Sequence, residues 1–411
     1  MNICVVLKSY RPDAMGGAER NAERLMLKFA SAGHHVTLLA PRSRWSAPRE
    51  EQCEGIHIQR VDSLLPLLGL ARGIKRAVWN PRARENAPSS TATPRAHDAL
   101  AGPVHCTVIR GFQRALTRMN PVPDILHIHE TSWLAGVAAE WAASRTIPVI
   151  CKEATQPPLL PIPEFIPNAG HWADWRLRCD LYVATTGPMR AALQENGLPA
   201  DRTVLIPNGV PIPETAADPG LHRSVLCLAN FHQGAEWKGF DTLIRAWSRV
   251  ARTHPDAVLQ FAGAGDAGSF RRLAETCGCA DSVRFLAFQA QPESLYRSSA
   301  MLVLPSRREG LSNALLEAQS WGLPAVVSDI PGNRAVVEDG VNGIVTPVAD
   351  EERLAAGISA LLDDTDLRRR LGASGRVRIQ REFSIDQVSA HWLDASTRLL
   401  RVRAARLDPA R

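Results

Sequence analysis

Short apolar runs alternate with amphipathic stretches from one end of this chain to the other, and the alternation breaks once and restarts. Strand-then-helix alternation is the signature of parallel sheets covered by helices on both faces. A strand buried on both faces has to be apolar along its length, which is why the runs are short and nearly continuous. Strands are expected at 3–7, 35–39, 124–129, 148–151, 181–184 and 203–206, then at 224–228, 258–262, 283–288, 301–304 and 325–328. A helix over about 18–32 follows from Ala22, Leu25, Met26 and Phe29, which recur at helical spacing. The break is proline-rich, with Pro207, Pro211, Pro213 and Pro219, and reads as a linker. The expected organisation is a Rossmann-like domain over 1–206, a linker over 207–222 and a second such domain over 223–384. A helix over 385–400 is expected to pack back on the first domain, with a tail over 401–411. Ligands of such domains sit at the carboxyl ends of the strands.

A chain of 411 residues, 45% hydrophobic, buries enough surface to fold without disulfides or metals. No apolar run approaches the roughly 18 to 20 residues a membrane-spanning helix needs. The first residues lack a basic region and a cleavage site, so no signal peptide is expected. The eight cysteines form no C-x-x-C pair and are expected to be reduced thiols, mostly buried, as in the cytoplasm. Charge is uneven. Between Leu64 and Arg118 stand nine basic residues (Arg72, Lys75, Arg76, Arg82, Arg84, Arg95, Arg110, Arg114 and Arg118), opposed only by Glu85 and Asp98. Such a segment should meet something anionic. Leu64, Leu65, Leu67, Leu68, Leu70, Ile74, Val78 and Trp79 interleave with its basic residues. It reads either as an internal helix with solvated cations or as a segment lying on an anionic bilayer. The stretch 80–103 has no periodicity and is expected to be a long loop. Lysine is scarce beside arginine: the five stand at 8, 28, 75, 152 and 238, which makes each a candidate for a specific role.

The strongest chemical signal is Pro305-Ser306-Arg307-Arg308-Glu309-Gly310-Leu311-Ser312 followed by Asn313 to Glu317. A strand ends, a polar loop follows and a helix begins near Ser312. Free N–H groups at a helix start bind anions, and Gly310 lets a phosphate approach the backbone. Glu309 in the loop and Glu317 in the helix can take a sugar hydroxyl and a ribose, or be a capped helix with two solvated acids. A second signal, Glu236-Trp237-Lys238-Gly239-Phe240-Asp241, puts a cation beside a helix start, which suits a diphosphate leaving group. Four patterns read as decoys. Gly263-Ala264-Gly265-Asp266-Ala267-Gly268 spells a dinucleotide fingerprint, but no acid ends the next strand. Asp364-Thr365-Asp366 spells a metal-holding pair, but it lies between two helical stripes where an aspartate caps a helix. His34-His35 precedes a strand and is expected only to pack or cap, and His127 reads as a hydrogen-bonded strand histidine.

Taken together these motifs resemble the retaining glycosyltransferases of family 4, over nearly the whole chain. Glu309 and Glu317 match the E-x7-E signature, and Ile206-Pro207-Asn208-Gly209-Val210 the usual domain junction. Gly16-Gly17-Ala18-Glu19-Arg20 matches the first loop, Lys238-Gly239 the phosphate lysine, and Leu126-His127-Ile128-His129-Glu130 the strand whose second His faces the cleft. Gly322 to Asp329 and Gly340-Val341-Asn342-Gly343 continue the match. The resemblance implies the GT-B fold, two Rossmann-like domains facing across a cleft, with a nucleotide-sugar donor bound mainly by the second. It implies Lys238 on the diphosphate, Glu317 on the ribose, Glu309 on the donor sugar and the backbone of Gly310, Leu311 and Ser312 around phosphate. Phe288 and Gln289 would lie near the base, His129 would orient the sugar, and Gly16 and Gly17 would approach the phosphates. Members usually have Gly-Arg where this chain has Ala229-Asn230, and that Arg assists Lys on the diphosphate, a part that Arg307 or Arg308 would have to take here. An acid often follows the Gly-Asn pair, whereas here Gly332-Asn333-Arg334 is followed by Ala335.

The expected activity is transfer of a sugar from a nucleotide-sugar to a glycan or lipid-linked acceptor, in cell-surface polysaccharide or glycolipid synthesis. Another GT-B enzyme (epimerase, hydrolase or phosphorylase) and a non-catalytic sugar-nucleotide-binding protein stay open as alternatives. No metal, no cofactor and no nucleic-acid partner is expected. The expected location is the cytoplasm, with residues 64–118 offered to the inner face of the membrane.

Overall fold

The computed structural model describes residues 1–11, 16–42, 44, 46–62, 96–153, 158–159, 161–162, 166–231 and 235–407, without the side chains of 96–102, 235, 406 and 407. The chain divides into two compact units. The first comprises Met1–Thr185, Met189–Ile206 and Ser389–Arg411, and the second Thr186–Pro188 and Pro207–Val388.

The first unit is built on an eight-stranded sheet of order β3-β4-β2-β1-β5-β6-β7-β8. Its strands are β1 Asn2–Val6, β2 His35–Pro41, β3 Glu50–Cys53, β4 Ile56–Val61, β5 Ile125–Ile128, β6 Val149–Glu153, β7 Leu181–Ala184 and β8 Thr203–Leu205. All neighbours are parallel except β3 and β4. Those two form a hairpin that apolar patterning does not reveal. β3 is a polar edge strand, Glu-Glu-Gln-Cys, with no inward face to fill. The local signal is Glu54-Gly55, both at positive φ (48° and 81°), which is the backbone a two-residue hairpin turn demands. The helix Gly17–Ser31 buries Asn21, Ala22, Leu25, Met26 and Phe29. The helix Ala96–Arg118 occupies the end of the stretch expected to be a loop over 80–103. Its Val104, Val108, Ile109, Phe112 and Leu116 are buried at helical spacing, which Pro103 and the preceding Ala/Pro/Ser run obscure. Arg110, Arg114 and Arg118 are exposed on it. The rest of the basic segment, residues 64–95, lies outside the described residues.

The last helix, Ile385–Leu407, runs past the Leu400 at which its periodicity ends. Within the first unit its Trp392 and Ser396 cover the fully buried His127: Ser396 Oγ lies 2.9 Å from His127 Nε2, and the two rings are 5.0 Å apart. Further along, Arg403 meets the carboxylate of Asp180 at 3.3 Å, and the same carboxylate accepts from the Val149 N–H at 2.9 Å.

The second unit holds a six-stranded, wholly parallel sheet of order β11-β10-β9-β12-β13-β14. Its strands are β9 Ser224–Leu228, β10 Val258–Ala262, β11 Val283–Leu286, β12 Met301–Leu304, β13 Ala325–Ser328 and β14 Gly343–Thr346. β11 stops at Leu286, short of the expected 288, so Phe288 and Gln289 stand in the following loop. The proline-rich 207–222 segment packs within this unit, with Val210 bridged to Ser384. Arg368, 2% exposed, secures its end by donating to the carbonyls of Pro219 (3.2 Å) and Leu362 (2.9 Å). Asp364 caps the helix Thr365–Glu382 by accepting from the Leu367 N–H at 2.8 Å. Among the described residues no helix is long and apolar enough to cross a membrane.

Candidate functional site

Among the parallel strands of each sheet the order reverses once: between β1 and β5 in the first unit, and between β9 and β12 in the second. At such a point the connections leave to opposite faces and open a crevice at the carboxyl ends of the two strands. In the second unit the loops that follow β9 and β12 carry the residues singled out above. Lys238 Nζ lies 2.5 Å from Glu309 Oε1, and the same oxygen accepts from Ser306 Oγ at 2.9 Å. The two charged side chains are 19% and 10% exposed, so the pair is largely withdrawn from water. Lys238 also lies over the Trp237 ring, 4.0 Å from its centroid.

The loop from Pro305 to Ser312 is braced on several sides. Gly239 sits at φ 69°, and a Cβ there would fall 2.1 Å from the Pro305 carbonyl oxygen. Only glycine lets the Lys238 turn press against the end of β12. On the other side a Cβ on Gly332 would come within 1.9 Å of the Gly310 carbonyl oxygen. Asn333 donates to the Ser328 carbonyl at 2.9 Å, and the Ser328 hydroxyl donates to the Ser306 carbonyl. Asn208, from the motif read as a domain junction, donates to the Leu311 carbonyl at 3.1 Å. The loop then enters the helix Asn313–Ser320, whose N-cap Ser312 accepts from the Leu315 N–H at 3.4 Å. Glu317 lies within that helix, 6% exposed, with Oε2 accepting from the Tyr296 hydroxyl at 2.8 Å. Sequence reasoning does not single out Ser306, Ser328, Asn333, Gly332, Asn208 or Tyr296 as site residues. The legible hints are that Ser306 lies in the loop of the strongest signal, Asn208 and Ser328 fall inside matched motifs, and Gly332-Asn333 is the Gly-Asn pair noted for the acid missing after it.

Lys238, Glu309 and Ser306 are therefore brought together, with Gly310, Leu311 and Ser312 on the same loop. Asn230 plays a scaffold part: its Oδ1 accepts from the Ala264 N–H at 2.9 Å, and Gly263 packs against the Ala229 carbonyl. The G-x-G-x-x-G run thus serves close approach between two strand-end loops. Of the two candidate substitute cations, Arg307 pairs with Asp241 at 2.7 Å and also reaches Thr242. Arg308 is exposed. Gln289 is half-buried, and its amide donates to the Ala287 carbonyl at 3.0 Å.

In the first unit, Gly16 is the N-cap of the helix Gly17–Ser31, with extended backbone (φ −79°, ψ −175°). His129 follows β5. It is 8% exposed and stacks on Trp392, rings 5.3 Å apart and 7° from parallel. Its Nε2 has no hydrogen-bond partner among the described residues. Burial, with Lys152 and His127 nearby, holds His129 well below the usual imidazole range, so its ring is neutral at pH 7. The register Ile128↔Cys151 puts His129 beside Lys152 on the same face of the sheet. Lys152, 3% exposed, donates to Asn21 Oδ1 at 2.6 Å, and burial pushes its ammonium down to about 7. On the opposite face Glu153, fully buried, accepts from the Thr131 hydroxyl and from the Leu159 N–H (3.0 Å). Lys152 is absent from the site residues expected from sequence, although the scarcity of lysine points at it.

The depressed Lys152 value has a thermodynamic consequence. The unfolded lysine keeps its proton up to 10.5, whereas the folded one loses it near 7. Between those values the unfolded state binds more protons, so stability is gained as pH rises through that window. The stability difference between wild type and Lys152→Met, from urea melts, should therefore grow in favour of wild type from about pH 7 to about pH 9. Comparison with the variant cancels the opposing titration of buried thiols such as Cys4, which burial raises to about 12. A flat difference would show that burial does not push the Lys152 ammonium down.

Comparison with known proteins places these units. The description "Glycosyltransferase Family 4" matches residues 15–213, and "Glycosyl transferases group 1" matches residues 225–378. A phosphatidyl-myo-inositol mannosyltransferase of Mycobacterium leprae is 32% identical over 187 residues, 43% of this chain and 49% of that one. A lipopolysaccharide core biosynthesis glycosyltransferase, LpsE, of Rhizobium meliloti is 30% identical over 159 residues, 38% of this chain and 46% of that one. The aligned part thus spans a little under half the length of these curated relatives. The crystal structure of Anabaena HepE in complex with UDP and glucose superposes with a TM-score of 0.70 at 16% identity, over 97% of this chain and 99% of that one. That likeness bears on the fold alone and identifies it as GT-B. With a Family 4 unit followed by a group 1 unit along most of its length, the chain belongs to the family 4 glycosyltransferases.

Proposed function

We propose that the chain moves a sugar, with retention of configuration, from a nucleotide-sugar to a glycan or lipid-linked acceptor in cell-surface polysaccharide or glycolipid synthesis. The carrying observation is the convergence of Lys238, Glu309 and the helix start at Ser312 where the second sheet reverses its order. A departing diphosphate gathers negative charge, and an ammonium beside the N–H end of a helix stabilises that charge. In this reading Lys238 holds the diphosphate and the backbone of Gly310, Leu311 and Ser312 surrounds phosphate. Glu317, fixed by Tyr296, takes the ribose, Glu309 takes the donor sugar, and Gln289 lies near the base. Arg308 supplies the second cation, because Asn230 is committed to Ala264 and Arg307 to Asp241. His129, neutral and with an unused Nε2, suits a hydrogen bond to a sugar hydroxyl, and Gly16 and Gly17 suit close approach to phosphate.

No protein nucleophile is required. The bond from the anomeric carbon to the diphosphate breaks, the acceptor oxygen bonds to that carbon on the same face, and the acceptor proton passes to the departing phosphate oxygen. The relatives named as a lipopolysaccharide core biosynthesis glycosyltransferase and a phosphatidyl-myo-inositol mannosyltransferase support a lipid-linked acceptor, and the HepE complex makes UDP the first nucleotide to try. Product analysis separates transfer from epimerisation, hydrolysis and phosphorolysis, and turnover with any acceptor excludes a purely binding role.

Lys238→Ala and Glu317→Ala should each weaken binding of the cognate nucleoside diphosphate by about 10- to 100-fold, as expected for loss of a hydrogen bond to a charged group. Calorimetry in which both variants bind as wild type does would show the site to be misassigned. Turnover should need no metal, since Lys238 and the helix start already supply positive potential. Activity should survive EDTA; complete loss restored by magnesium or manganese would defeat this. The basic segment 64–118 is proposed to rest on an anionic membrane surface. At low salt the protein should sediment with anionic vesicles in preference to neutral ones, and equal partitioning would remove the idea.

A further inference from the structure

The donor site holds its own anion. Lys238, the cation assigned to the diphosphate, is paired at 2.5 Å with Glu309, the acid assigned to the sugar. Glu309 is fixed from behind by the Ser306 hydroxyl at 2.9 Å on the same oxygen, and it is only 10% exposed. Resting on the reading above, we infer that Glu309 acts as an internal counter-anion that a ligand must release from Lys238, and that this exchange makes the site discriminate a sugar-bearing diphosphate from the free diphosphate.

The argument is one of charge. When a diphosphate takes Lys238, Glu309 loses its cation and faces an anion at short range, in a place where water screens poorly. A nucleotide-sugar compensates the carboxylate, because sugar hydroxyls donate to it in charge-assisted hydrogen bonds. A free nucleoside diphosphate offers no such donors, and its unesterified terminal phosphate carries more negative charge. The product left after transfer is thus the species Glu309 repels, and re-formation of the Lys238–Glu309 pair favours its departure. The sequence alone leaves Glu309 as a sugar contact. The pairing adds a second role on the same side chain, specificity for donor over product.

The test is Glu309→Gln, which keeps the shape and the oxygen that accepts from Ser306 but removes the charge. Binding of UDP, GDP, ADP, their glucose esters and inorganic pyrophosphate is measured by calorimetry on wild type and variant. The probes bound by wild type without a sugar should bind the variant about tenfold tighter, with the gain shrinking in high salt. The ratio of sugar-ester affinity to free-diphosphate affinity should fall, and product inhibition should deepen. Glu309→Ala, which removes the same charge with a different shape, should move free-diphosphate affinity in the same direction. Unchanged or weaker free-diphosphate binding in both variants would overturn the inference while leaving the donor site standing. Failure of wild type to bind any probe would overturn the donor reading and the inference with it.

Discussion

The reversal of strand order between β9 and β12 is the constraint on which the second unit's chemistry depends. Parallel strands must be joined by right-handed crossovers. Where neighbouring strands are reached from opposite directions, their crossovers go to opposite faces and the two strand-end loops part. β9 is followed by the loop bearing Asn230 and Lys238, and β12 by the loop bearing Ser306 to Ser312. Among the described residues no other pair of adjacent strands in that sheet reverses the order and parts its loops in this way. The first sheet has the same reversal between β1 and β5, and there too the chain places candidate residues, Gly16 and Gly17 after β1 and His129 after β5.

A crevice lined by backbone would close or wander without bracing, and the braces explain several residues whose chemistry is otherwise mute. Gly239 and Gly332 admit carbonyl oxygens of the 305–312 loop where any Cβ would collide. Asn208, Ser328 and Asn333 tie the loop and the strand end beside it by hydrogen bonds from buried side chains. Buried polar donors cost free energy unless they are hydrogen-bonded, so the bonds these three donate favour one loop geometry. The outcome is that the Lys238–Glu309 pair meets in a loop that has little freedom to relax around it.

The first unit uses burial differently. His127, His129 and Lys152 lie in the adjacent strands β5 and β6 and their ends, near the helix that carries Asn21 and the helix that carries Trp392. Desolvation disfavours the charged form of each, so the histidines stay neutral and Lys152 titrates near neutrality. His127 is a packed strand residue hydrogen-bonded through Nε2 to Ser396, and each of the two histidines keeps one ring nitrogen, Nδ1 of His127 and Nε2 of His129, with no partner among the described residues.

Local pattern determined a great deal by itself. Most parallel strands were legible, because a strand buried on both faces must be apolar throughout; the exceptions are β4, whose polar residues alternate with apolar ones, and the half-buried edge strand β14. The strand-end loops with Gly, Lys and Glu were legible because such residues stand out between a strand's apolar run and the start of a helix. The capping role of Asp364 was legible from its place between two helical stripes. The β3–β4 hairpin was not, because an exposed edge strand need not be apolar, nor was the helix over 96–118, because its buried apolar period starts only at Val104. Tertiary structure alone decided that Arg307 is spent on Asp241 and that Asn230 braces Ala264. It alone decided that Gly332, beyond the next strand, fixes Gly310 in place, and that Lys152 is buried beside His129. Those facts turn on which loops the sheet order brings side by side, and residues far apart along the chain leave no mark of that on local periodicity.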